Sequence, residues 1–509
     1  MGKSFEIGAA IDVGSKYLQM TLAEITSQGK ITVLEDLVQP TNIGRDTFSG
    51  GRIERETVQN TAGVLRGFTQ LLKDYRVKHY KAVATSGFRE AANRDYVLEQ
   101  LRLKTKLDVE VINSAQERFF MYKDLRYYLT DPALISFDES TLIVNIASGG
   151  VESSIYNKGN LKITEYIKIG SLRLRETLAG LETKTVDFSG VMKEFIESKL
   201  YLLNSTIYDE KPANLVVLGG EARSVIDIFS KDNFIETDAF EEVYEKARRM
   251  SDKQIARMYN LPRNLAETFL PTVIILYCFL KMTKAKRILA PVITLKHGLL
   301  CELTDQTFDT PHKQESLDDI INSVWYIAKK FGADKKHALQ VESLALAIFD
   351  QTWSLHRLGE RERLYLQVAA ILHAIGYFVD SANHHIHAYD IIRTQNIMGF
   401  SDRELNLIAN IVRYHVQDTP SQYHANYAEL SVPDQIIVSK LAAFLRLAEC
   451  LDVSHLKKVT ELSISKNGDQ LSFCLSARED TLLEEWYFLK NIRLLEEVTG
   501  MRVVIKRKG

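Results

Sequence analysis

Only four cysteines occur in 509 residues (Cys278, Cys301, Cys450 and Cys474), and no two of them form a CxxC pair. That spacing excludes a disulfide scaffold and a thiolate zinc site. Nine prolines leave no room for a long Pro-rich linker, and no stretch is of low complexity. An excess of one charge is lacking too. Lys+Arg 64 against Asp+Glu 66 gives −2, so no basic field advertises nucleic acid. The longest apolar run, about Phe269–Leu280, is too short to span a bilayer and holds Pro271. The opening Met-Gly-Lys-Ser-Phe-Glu has no apolar h-region, so no secretory leader is expected. A reducing, cytoplasmic setting without membrane or nucleic-acid partners is the expectation.

What is present is ordinary globular composition, 45% hydrophobic and 26% charged, in a chain long enough for about three to five domains. The first 300 or so residues alternate strand and helix patterns. Ile7–Val13 and Tyr17–Ile25 read as paired strands around Gly14-Ser15-Lys16, with Ile31–Val38 a third. Arg55–Leu72 has helical spacing. His79–Thr85 reads as a strand, Arg94–Lys104 as a helix, Leu107–Ile112 as a strand and Ser114–Leu129 as a helix. A second series repeats the first: Leu142–Ile146 and Val151–Tyr156 flank Gly149-Gly150. Leu161–Ile169 follows, then helices near Leu172–Leu178 and Val191–Leu203, and the strand Asn214–Leu218. Two such series predict two related α/β lobes.

Beyond about Thr310 strand patterns vanish. Leu317–Leu451 is almost all amphipathic helix, and nine of the twelve histidines lie between His337 and His455. Val459–Ile464, Leu471–Leu475, a helix near Leu483–Val498 and Arg502–Ile505 predict a small α+β cap. The expected segments are 1–125 and 126–305 (the two lobes), 306–457 (helical) and 458–509 (cap).

Ala10-Ile-Asp-Val-Gly-Ser-Lys16 puts a carboxylate at a strand end, then a Gly turn with free amides. Such a turn can cradle phosphate while Asp12 holds a divalent cation; equally, it suits an ordinary hairpin. Val144-Asn-Ile-Ala-Ser-Gly-Gly150 repeats the idea in the second lobe, again with a plain hairpin as the alternative. Facing one another, the two turns would clamp phosphate, with Lys16 as a point charge and Arg89 as a bidentate fork. Either cation also reads as a solvated surface charge. Leu218-Gly-Gly220 is where an adenosine pocket would lie, or a simple strand-to-helix turn before Glu221.

These motifs resemble the exopolyphosphatase/guanosine pentaphosphate phosphohydrolase family, long form. The matching residues are Ile11–Ser15, Ala84-Thr-Ser-Gly-Phe-Arg-Glu-Ala91, Glu110-Val-Ile with Glu117, Asn145–Glu152 and Ile169-Gly-Ser-Leu-Arg-Leu174. In the helical region they are Ala369–Tyr377, His384–Tyr389, Gly399–Glu404, Arg413-Tyr-His415 and Leu445–His455. The resemblance runs in order along nearly the whole chain. It implies duplicated actin-like (sugar kinase/actin) lobes, a helical HD-like domain and a C-terminal α+β domain. It further implies Mg²⁺-assisted hydrolysis of a terminal phosphoanhydride of polyphosphate or guanosine pentaphosphate, by a homodimer.

Mapped by motif, the resemblance makes Glu117 the catalytic base and Asp12 and Glu152 metal ligands. It makes Arg89 a phosphate contact, and the two turns themselves add Gly14, Ser15, Lys16, Ser148, Gly149 and Gly150 as further expected phosphate contacts. Three departures stand out. Asn145 replaces an expected Asp, Ala147 an expected Gly, and Lys16-Tyr17 the usual Asn-Ser. A hard cation loses a preferred ligand at Asn145. The rival reading is therefore a non-catalytic polyphosphate or guanosine-nucleotide sensor that kept the clamp and lost its metal; a sugar-type kinase is a third. In the helical domain the His-Asp dyad reads His373-Ala374 and Glu449 stands where an Asp is expected. His337, His384, His385, His387 and His415 leave a metal site open. The favoured expectation is structural or anion-contacting histidines without metal-dependent hydrolysis, in a domain that lengthens the polyanion track or mediates dimerisation. Finally, Ser114-Ala-Gln-Glu117 has capping-box spacing, which would give Glu117 a purely structural job.

Overall fold

The computed structural model describes residues 5–128, 139–157, 160–230, 232–416 and 418–507. The chain divides into two compact units, residues 1–319 and 320–509. In the first, strands β1 (Phe5–Val13), β2 (Tyr17–Thr26), β3 (Ile31–Pro40), β4 (His79–Ala84) and β5 (Glu110–Val111) form one sheet in the order β3-β2-β1-β4-β5. Strands β6 (Thr141–Ile146), β7 (Val151–Asn157), β8 (Asn160–Ile167), β9 (Asn214–Leu218), β10 (Phe234–Glu236) and β11 (Arg287–Leu289) form the other. Its order is β10-β11-β9-β6-β7-β8.

The two sheets are copies. β1 runs antiparallel to β2 and parallel to β4; β6 runs antiparallel to β7 and parallel to β9. Each central strand is a run of buried small or branched residues, as a strand covered on both faces requires. The helix Arg55–Asp74 lays Val58, Ala62, Leu65, Phe68 and Leu72 on the first core, at the expected spacing. The apolar helix Arg263–Leu280, with Pro271 inside it, is mostly buried in the second core.

Three expectations need correcting. The strand expected over Leu107–Ile112 narrows to the two residues of β5. The expected end of the next helix, Leu129, lies outside the described residues, and the helix covers Ser114–Tyr128. The helix Leu295–Phe308, most of which falls in the segment assigned to the second lobe (126–305), packs on the first sheet, against β1, β2 and β4. There Lys123 reaches Glu302 and Asp305, each at 2.5 Å. Burying that ammonium requires both carboxylates, and this holds the helix on the first lobe.

In the second unit, helices including Lys335–Gln351, Glu360–Leu372, His384–Thr394, Asp402–Arg413 and Val432–Cys450 pack together. A sheet of β12 (Val459–Asn467), β13 (Gln470–Ala477) and β14 (Arg502–Arg507) follows in that order. The single helix expected over Leu483–Val498 is two, Leu482–Asn491 and Arg493–Thr499, broken at Ile492.

Candidate active site

Asp12 and Asn145 occupy equivalent places in the two hairpins. Asp12 lies opposite Gln19 in the β1–β2 register, and Asn145 lies opposite Glu152 in the β6–β7 register. Each hairpin thus holds one acid and one amide, with the two types exchanged between strands. Asp12 is buried, and among the described residues nothing hydrogen-bonds its Oδ1. Burial first, then Glu117, pushes its carboxyl up to about 7. Glu152 is likewise pushed up to about 7 by burial, against the pull of Arg118, whose Nη1 donates to it at 2.6 Å.

Glu117 sits in the first turn of Ser114–Tyr128, but it does not cap that helix. Asn113 Oδ1 accepts from the Gln116 amide at 2.8 Å, and Gln116 Oε1 accepts from the Asn113 amide at 3.1 Å. The capping box lies one residue earlier than the Ser114–Glu117 spacing suggests, and the Glu117 carboxylate is released from it. Glu117 Oε2 lies 3.8 Å from Arg89 Nη1. Burial raises its carboxyl, with Arg89 opposing. Arg89 donates to the Ile112 carbonyl at 2.7 Å, while its buried Nη2 has no partner among the described residues. Three acids and one arginine fork therefore share one buried field at the ends of β1, β6 and β7.

The two Gly turns do not face each other across open space. A Cβ on Gly149 would collide with Ser86, and one on Gly150 with the Tyr166 ring. Gly149 lets the second turn seat directly on the first lobe, and Gly150 lets it close against β8 of its own sheet. Ser15 Oγ lies 3.0 Å from Ser86 Oγ. Lys16 is no solvated charge. Its Nζ donates to Thr268 Oγ1 at 2.6 Å and to Glu221 Oε1 at 3.3 Å. Ser148 Oγ donates to the same Glu221 oxygen at 2.9 Å, and Ser171 Oγ donates to the other. Glu221, in the first turn of the helix Gly220–Phe229, is thus a carboxylate held by an ammonium and two hydroxyls. That donor set suits any tetrahedral oxyanion. Arg173 closes the far side, donating to the Gly149 carbonyl and to Glu90, both at 2.5 Å.

Of the residues expected from sequence, Asp12, Glu117, Arg89 and Glu152 come together, and Gly14, Ser15, Lys16, Ser148, Gly149 and Gly150 line the adjoining seam. Glu221, Ser171, Arg173 and Arg118 were not expected there. The only sequence signal for Glu221 was its place after Gly219-Gly220 at a strand end, where α/β folds put ligands.

The model of the Ppx/GppA phosphatase family matches residues 21–307, more than half of the chain. This chain belongs to that family. The Ppx/GppA phosphatase domain III model matches residues 321–497. The guanosine-5'-triphosphate,3'-diphosphate pyrophosphatase of Pseudoalteromonas translucida (strain TAC 125) is 22% identical over 489 residues, covering 91% of each chain. A protein of the same name from Aeromonas hydrophila is 20% identical and covers 79% of each chain. An exopolyphosphatase from Cytophaga hutchinsonii superposes with TM-score 0.54 at 18% identity, over 59% of this chain and 98% of that one. The fold is that of Ppx/GppA proteins, and it fits an actin-like α/β domain followed by a helical one.

A divalent cation fits this Ppx/GppA site in part. The orphaned, buried Asp12 Oδ1 is a hard oxygen ligand in the field of the Glu117 carboxylate, which raises the Asp12 pKa further. Glu152 is tied to Arg118, and Asn145 brings an amide where a carboxylate would serve better.

Proposed function

We propose that this chain hydrolyses terminal phosphoanhydride bonds of inorganic polyphosphate or guanosine pentaphosphate, with Glu117 as general base. The observation that carries the reading is a Glu117 carboxylate largely shielded from water, free of capping duty, 3.8 Å from Arg89. Burial raises its pKa above the ordinary carboxylate value, with Arg89 opposing, and a raised pKa makes the carboxylate a stronger proton acceptor. Glu117 takes the proton from attacking water. Arg89 Nη2, which has no internal partner among the described residues, turns a donor to the phosphate oxygens. Amides of the Gly14 and Gly149-Gly150 turns add further donors. Asp12 would hold Mg²⁺, with Glu152 joining once released from Arg118; the ion supplies charge neutralisation at the phosphate oxygens.

A specific observation also favours the rival reading, a polyanion sensor. Arg118 already occupies Glu152, and Asn145, its register partner, brings an amide in place of a second carboxylate for a cation. Phosphate release from polyphosphates of several lengths, guanosine pentaphosphate and ATP, with and without Mg²⁺, separates the two. Release that needs Mg²⁺ supports hydrolysis. Micromolar binding without release supports the sensor.

A further inference from the structure

Five helical segments of the second unit send polar side chains to one buried point. His337 lies in Lys335–Gln351, His373 ends Glu360–Leu372, and Glu449 lies in Val432–Cys450. His415 follows Asp402–Arg413, and His384 opens His384–Thr394. His337 Nε2 and His373 Nε2 are 3.2 Å apart, and each is 3.0 Å from Glu449 Oε2.

The far side of each ring fixes its tautomer. His337 Nδ1 bonds Asp452 Oδ2 at 2.8 Å, His373 Nδ1 the Ala370 carbonyl at 2.7 Å, and His415 Nδ1 the Val412 carbonyl at 2.5 Å. A carbonyl only accepts, so the proton of His373 and of His415 sits on Nδ1, and each Nε2 is a lone pair. Asp452 orders His337 in the same sense, as carboxylates do behind metal-binding imidazoles. Two imidazole nitrogens and a carboxylate oxygen converging at 3.0–3.2 Å need positive charge among them, which either a proton on His337 or a metal ion supplies. His415 Nε2, in a ring only 1% exposed, has no hydrogen-bond partner among the described residues. Its ring centre lies 5.4 Å from that of His373, but the ligand atoms that converge are those of His337, His373 and Glu449.

We propose that His337, His373 and Glu449 bind one divalent transition-metal ion. A triangle with edges of 3.0, 3.0 and 3.2 Å is the face offered by three ligands each about 2.0–2.1 Å from a shared ion. Two imidazoles and one carboxylate select Zn²⁺, Fe²⁺, Co²⁺ or Mn²⁺ over Mg²⁺ or Ca²⁺. The ion ties together the three helical segments that carry its ligands. This replaces the sequence expectation of metal-free histidines. It is independent of the phosphate chemistry proposed above.

The test uses the full chain, stripped with chelator and titrated with Co²⁺ and Zn²⁺. The result expected is one ion per chain, a visible Co²⁺ ligand-field spectrum and a rise in Tm on loading. Glu449→Gln and His373→Gln, both checked for native circular dichroism, should weaken binding at least tenfold. Asp12→Asn should bind like the wild type. The proposal is overturned by no stoichiometric binding to the wild type, or by a site lost in Asp12→Asn but kept in the helical variants. Should both helical variants unfold, the wild type decides alone: Co²⁺ bound without an imidazole-type spectrum, or no Tm rise, overturns it.

Discussion

Lys16 of the first hairpin and Glu221 of the second lobe lie 3.3 Å apart, both almost fully shielded from water. The pair joins residues 205 positions apart and places a carboxylate where the phosphate-seeking donors of both turns converge. A substrate phosphate asks for the same donors, so ligand and Glu221 compete.

Glu221→Ala removes the competitor. Ser148 and Ser171 then lose their acceptor and Lys16 keeps only Thr268, so affinity for tripolyphosphate or product phosphate should rise at least tenfold. Calorimetric titration reads this directly. Unchanged affinity would mean that these donors never meet the ligand.

Glu117 and Gln116 separate capping from catalysis. Glu117→Gln should leave stability within about 1 kcal/mol, the scale of one cap. It should lower phosphate release at least ~100-fold, the lower range for general bases. Gln116→Ala should do the reverse, costing about 1 kcal/mol with turnover changed only a few-fold. Near-normal turnover in folded Glu117→Gln removes it as the base.

Asn145→Asp puts a second acid beside Glu152, its register partner. The added hard oxygen should tighten the apparent affinity for Mg²⁺ or raise turnover. If neither the metal titration nor the rate moves, Asn145 does not face the cation.

The raised Asp12 carboxyl links stability to pH. Its folded value, about 7, lies above its ordinary 3.8, so the folded state holds a proton that the unfolded state releases. Its contribution is complete below about 4 and is lost as pH rises to about 7. In metal-free protein, Asp12→Asn should therefore melt higher than wild type at pH 7.5, by an amount that shrinks towards pH 4. Thermal melts across that range check it, and added Mg²⁺ should restore the wild type at the upper end. A pH-independent difference would show that Asp12 ionises normally.

The hairpins are legible in the sequence because alternation and Gly turns are local signals, and both turn strands begin and end within a residue or two of expectation. That the helix Leu295–Phe308 packs on the first lobe is not legible, since its partner Lys123 lies 179 and 182 positions away. The cap misleads by one residue because Ser114…Glu117 and Asn113…Gln116 both have box spacing. The choice is made where the strand lets go: Ile112 still donates to the Ala84 carbonyl, so Asn113 becomes the first residue free to cap. Glu221 is invisible because its donors come from segments 50, 73 and 205 positions away. The histidines are countable in the sequence, but Ala374 in the dyad obscures that His337, His373 and Glu449 still meet.

The copied sheets carry a consequence for ancestry. Two like halves suggest a chain that once paired with itself, yet neither half could now live alone. Lys16 needs Glu221, Arg118 needs Glu152, Arg173 needs Glu90, and Lys123 needs Glu302 and Asp305. Stranding one such buried charge costs roughly 3–5 kcal/mol, and a typical domain has only about 5–15 kcal/mol in all. Divergence between the copies has acted as a ratchet: each unlike residue gained by one half became a dependency of the other, and the doubling cannot be undone.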